Sequence, residues 1–115
     1  DFDDEKLKVA AKSLERIRNS IAMLQEALAR GGGQDEAATA TLMQAVTKAK
    51  EEFISAMDDD FNTALAISHM FALAKEINIY HQSIVSVGSK PDGKLVSILQ
   101  SVFSDWSTGI NSRCC

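Results

Sequence analysis

Internal cysteine is missing from this chain: Cys114 and Cys115, its last two residues, are the only ones. Neighbouring cysteines rarely pair with each other, so no disulfide staples the fold. No Cys or His stands at metal-finger spacing. The lack of internal cysteine fits a reducing cytoplasm, which is the expected location. Proline is nearly absent, with Pro91 alone, and aromatic residues are few. No apolar run approaches the ~18–20 residues that would span a bilayer, so no membrane partner is expected. A basic excess is missing too. The net charge is −4, whereas a free-standing nucleic-acid binder usually carries positive charge to neutralise phosphates. Any nucleic-acid contact must therefore use a local basic stripe. The start, Asp1 to Glu5, is acidic, has no Met and lacks a signal-peptide pattern. Such a start is expected of a segment cut from a longer protein.

What remains is abundant helix-forming sequence. The 115 residues are 45% hydrophobic, enough for the core of one domain. They are rich in Ala, Leu, Lys, Glu and Gln, which lose little rotamer freedom in helices. Strand signals are nearly absent. The one β-branched cluster, Ser83 to Val87, reads as a helix end running into a loop. Apolar spacing predicts four helices. The first runs from Asp4 to Arg30, with a heptad seam at Leu7, Ala10, Leu14, Ile17, Ile21, Leu24 and Leu28. Gly31, Gly32 and Gly33 stop it. The second runs from Asp35, a candidate cap, to Met57, on a stripe of Leu42, Val46, Ala49, Phe53 and Ala56. The third, Thr63 to His81, is apolar on more than one face and is expected at the centre. The fourth, Asp92 to Trp106, carries Leu95, Ile98, Leu99, Val102, Phe103 and Trp106. Residues 109–115 read as a loose tail beyond a helical domain of residues 1–108. Four amphipathic helices on short links predict an all-α, antiparallel four-helix bundle.

The motifs carry little chemistry. Asp58, Asp59, Asp60 and Asn62 break one helix and start another, and are expected to act as hinge and helix cap. Three successive acids do not converge easily on one ion, and they do not form a calcium loop. His69 and His81 are about three turns apart and cannot share a metal. No Glu stands three residues before either, so the di-metal bundle signature is missing. His69 is followed by Met, Phe, Ala and Leu, unlike a phosphotransfer histidine. The methionines read as core filler, and Trp106 as the anchor of the last helix. Lys8, Lys12 and Arg16 fall at i, i+4 and i+8, one stripe off the seam. That stripe is either a solvated face or a track for a phosphate backbone. No nucleophile with a paired base, phosphate loop or ligand cluster appears, so no catalytic residue and no metal ligand is assigned.

The stretch Phe53 to Asn78, and above all Ala56-Met57-Asp58-Asp59-Asp60-Phe61-Asn62-Thr63, resembles the cysteinyl-tRNA synthetase family. There such a motif lies in the helical DALR domain that follows the catalytic core. Asp1-Phe2 and Lys12 to Leu24 resemble flanking parts of the family, so the likeness covers Phe2 to Trp106. Many members have Pro after the Thr; here Ala64 stands, also a good helix former. The resemblance implies a bundle of the class I aminoacyl-tRNA synthetase anticodon-binding-like type. It implies a parent enzyme that joins cysteine to its tRNA with ATP, a catalytic zinc reading the thiolate. The HIGH, KMSKS and zinc-ligand signatures are not in this chain and are expected upstream of Asp1. ATP and zinc are therefore expected on a catalytic domain of the same polypeptide, and this domain alone is expected to be inactive. The expected partners are cysteine tRNA and that catalytic domain, and the resemblance strengthens Lys8, Lys12 and Arg16 as tRNA contacts. The alternative is a free-standing helical interaction module that dimerises through the seam and has no RNA role.

Overall fold

A computed structural model describes residues 4–30, 32–58 and 62–114. They form four helices: α1 (Asp4–Leu28), α2 (Glu36–Asp58), α3 (Thr63–Ser86) and α4 (Gly93–Cys114). The all-α bundle expected from the apolar spacing is the observed architecture. Its long dimension is 46 Å, about the length of one such helix plus its end loops.

Local chemistry sets the helix starts. Asp35 Oδ1 accepts from the Ala38 amide at 3.1 Å and caps α2. Asn62 Oδ1 accepts from the Leu65 amide at 3.1 Å and caps α3. Asp92 Oδ1 accepts from the Lys94 amide at 2.8 Å ahead of α4.

Packing then decides the arrangement. The α3 helix packs against both α1 and α2, and α4 packs against α1 and, less closely, α2. The backbones of α1 and α2 do not approach each other, nor do those of α3 and α4. These two pairs therefore stand on the diagonals of the bundle. The α1–α2 and α3–α4 links both cross the same end. They meet there: the Lys90 amide donates to Gly33 O at 2.8 Å. Helix directions alternate along the chain, so α1 lies parallel to α3 and antiparallel to α4. The antiparallel expectation thus holds along the chain, but the first and third links run diagonally.

The core is centred on Ile17, Leu24, Met70, Leu73, Ile77, Ile84, Leu99 and Ile110, with Phe53, Tyr80 and Trp106 also buried in it. Three expectations change. First, the closed face of α1 is Ala10, Ser13, Ile17, Ser20, Ile21, Leu24 and Ala27. Leu7, Leu14 and Leu28 are only partly covered. Small residues at Ser13 and Ser20 let α1 lie close to α3. Second, α3 continues past His81 to Ser86 because Ile84 is fully buried. Third, the loose tail is corrected. Residues 109–114 are helical, and Ile110 is 1% exposed. Ile110 falls four residues after Trp106, on the same buried face, so the apolar stripe carries the helix onward.

Candidate nucleic-acid interface

The α3 helix is flanked by two grooves of opposite chemistry. The α1–α3 groove encloses about 460 Å³ and is lined by Arg16, Phe71, Ala74, Lys75, Asn78, Ile79 and Gln82. No carboxylate lines it. Arg16 reaches across from α1, its guanidinium carbon 5.6 Å from the centroid of the Phe71 ring. That is within the range of an attractive cation–π contact. Lys75 stands one turn beyond Phe71, which places both on the same side of α3.

Below Arg16 the two helices are joined by polar links. Ser13 Oγ donates to Ala10 O at 2.8 Å and lies 3.7 Å from Met70 Sδ. Ser20 Oγ lies 2.9 Å from Arg16 O and 2.7 Å from Asn78 Oδ1. The single hydroxyl proton serves only one of these oxygens at a time. A half-turn of the Asn78 amide would satisfy both links, with Nδ2 donating to Ser20. In either setting one edge of Asn78 binds α1 and the other faces the groove.

On the opposite side of α3, the α2–α3 groove includes Glu52 and Glu76. His69 Nδ1 lies 3.4 Å from Glu52 Oε2, and Lys48 Nζ lies 3.8 Å from Glu52 Oε1. This face offers carboxylates, which repel phosphate. A third, apolar hollow lies between α2 and α4. Phe53 and Trp106 stack in its wall with centroids 4.6 Å apart. Trp106 anchors α4 there, as its place in the sequence implied.

The basic stripe is therefore split. Arg16 enters the α1–α3 groove, whereas Lys8 and Lys12 stay exposed on α1, two turns and one turn before it. Phe71 belongs to the helix expected at the centre of the bundle, and Lys75, Asn78 and Gln82 carry no assignment from the sequence. The i, i+4, i+7 spacing of Phe71, Lys75 and Asn78 was a usable signal for a shared face. Nothing in the sequence said that Arg16 would lie over it.

The hinge residues divide as well. Asn62 is the cap of α3, and its own amide donates to Ala56 O at 2.9 Å. This bond, reaching back six positions, ties the start of α3 to the last turn of α2. Asp58 is the last residue of α2 and is exposed. Asp59 and Asp60 lie outside the described residues. No group of three His, Cys, Asp or Glu among the described residues could hold a metal ion. Among the described residues no helix is long and apolar enough to cross a membrane.

Comparison with known proteins gives a consistent result. Residues 52–108 match the DALR domain family. The chain is 50% identical over 82 residues to the cysteine–tRNA ligase of Desulforamulus reducens, covering 70% of this chain and 17% of that protein. It is 48% identical over 85 residues to the ligase of Desulfitobacterium hafniense, covering 72% and 18%. The match to the ligase of Pelotomaculum thermopropionicum is 36% over 107 residues, covering 93% of this chain and 22% of that protein. The chain thus spans about a fifth of the length of these relatives. No solved structure matches.

Proposed function

This chain belongs to the DALR-domain family, and on that premise we propose that it is the tRNA-binding helical domain of a cysteine–tRNA ligase. The observation that carries the reading is the α1–α3 groove, basic and free of carboxylates on an otherwise acidic chain. Arg16 from α1 and Lys75 from α3 both line this groove. Lys12 and Lys8 extend the charge along α1 toward its start. Such a line of cations can follow a phosphate backbone. The groove with Glu52 and Glu76 would repel the same ligand, which gives the domain one side for RNA.

In this reading the parent enzyme attaches cysteine to its tRNA using ATP, in the cytoplasm. ATP and zinc act on the catalytic domain, the second partner of these helices. This chain's share is to bind and orient tRNA. Dimerisation through the α1 seam is disfavoured by the fold, because Ala10, Ile17, Ile21 and Leu24 are already buried inside the bundle.

The test is filter binding of cysteine tRNA by this chain across a series of salt concentrations. Affinity should fall steeply with salt. The triple variant Lys8→Gln, Lys12→Gln, Arg16→Gln should flatten the log–log slope by about 2–3 units, near 0.9 per lost phosphate contact. An unchanged slope and affinity would remove these residues from the interface. No binding by the unaltered chain would remove the tRNA role.

A further inference from the structure

The cation–π contact at Arg16 is more than a backbone track needs. An arginine meeting phosphate needs its charge and its planar hydrogen-bonding fork, but no ring beneath it. Here the Arg16 guanidinium carbon stands 5.6 Å from the Phe71 centroid, and this cation–π contact ties it to the wall of the groove, while Arg16 as a residue stays exposed. A guanidinium plane held in this way is a stacking surface for an unpaired base. We propose that the α1–α3 groove holds one unpaired ribonucleotide, its base stacked on Arg16 and its phosphate beside Lys75. The proposal rests on the tRNA-binding reading and names the part of the RNA that this groove takes.

The rest of the groove fits such a ligand. Ile79, 49% exposed, supplies apolar surface, with the buried Ala74 at the base of the groove. The free edge of Asn78 and the amide of Gln82 offer donors and acceptors to a base edge. The volume of about 460 Å³ lies within the usual range for small-molecule pockets, whereas a duplex is far too wide to enter. A base inside a duplex also has both faces covered and cannot stack on Arg16. The site therefore selects a loop, bulge or end over a paired stem.

The experiment measures this chain's affinity for a six-nucleotide single-stranded RNA and for a short RNA duplex. It uses the unaltered chain, Arg16→Lys and Phe71→Leu. Arg16→Lys keeps the charge and loses the plane; Phe71→Leu keeps the charge and loses the support. Both should weaken single-strand binding roughly tenfold, the size expected for losing one stacked base. Their salt slopes and duplex affinity should stay as in the unaltered chain. If Arg16→Lys binds the single strand as tightly as the unaltered chain, the nucleotide site is overturned. If a nucleoside monophosphate competes at concentrations near that of the oligomer, the groove is a free-nucleotide site and the proposal also falls. If cysteine tRNA binds with the expected salt dependence while both variants are neutral, only this inference is lost. If neither tRNA nor the oligomer binds, the tRNA reading is lost with it.

Discussion

Asn62 serves two helices at once. Its side chain caps α3, and its backbone amide closes α2 on Ala56 O. Replacing it by Ala removes the first bond and keeps the second. Asn62→Ala should lower stability by ~1 kcal/mol, and Asn62→Asp by clearly less, since Asp is also a good cap. Urea unfolding of the two variants checks this, and equal losses would mean that the side-chain bond contributes nothing. Caps were legible in the sequence because they are local: Asp35 and Asn62 each act on an amide three residues on. Ser13 and Ser20 were not legible. Their burial is decided by Met70 and Asn78, more than fifty residues later. The same distance hid the groove. Arg16 could be read as one of three cations, but Phe71 belongs to another helix, and only packing brings the two together.

Helix number and type were legible because each apolar stripe repeats at helical spacing over about three turns or more. Ends were less so. The α4 helix runs past Gly109 because Ile110 still reaches the core, and a glycine in a helix costs only about 1 kcal/mol. The least legible elements were the links, whose crossing depends on which helices become neighbours. At the crossing, Gly32 has φ +130, and a Cβ there would stand 2.5 Å from Gly88 O. Backbone meets backbone, so neither side can yield cheaply. Gly32→Ala should therefore cost about 1–3 kcal/mol. Gly33→Ala should cost much less, because nothing lies within 4 Å of its Cβ position. The urea midpoints of the two variants decide this; a Gly33 variant as unstable as the Gly32 variant would show that the crossing is not the constraint. Tyr80 reinforces the same end, its hydroxyl 2.9 Å from Thr39 Oγ1 and 3.3 Å from the Asp92 amide.

For the whole molecule, the diagonal placement of α1 and α2 means that neither can shelter the other's apolar stripe. The first half of the chain is then not a folding unit, because α3 is the helix on which both pack. A peptide of residues 1–58 should show far less helix by circular dichroism than those residues hold in the full chain. Adding residues 59–115 should restore it. A cooperative thermal transition in the 1–58 peptide alone would contradict this. The crossed links also have a consequence for biosynthesis. On the ribosome α1 and α2 emerge before α3 and must wait, with Ile17, Leu24, Leu42 and Val46 uncovered, until Ser86 has also emerged. At ~5–20 residues per second that wait lasts a few seconds. During it the nascent chain is a substrate for chaperones, and any pause between Asp58 and Ser86 prolongs the exposure. Most of the stretch from Phe53 to Asn78 falls in this window, and the turn of α3 that carries Ile84 ends the vulnerable phase of the chain's synthesis.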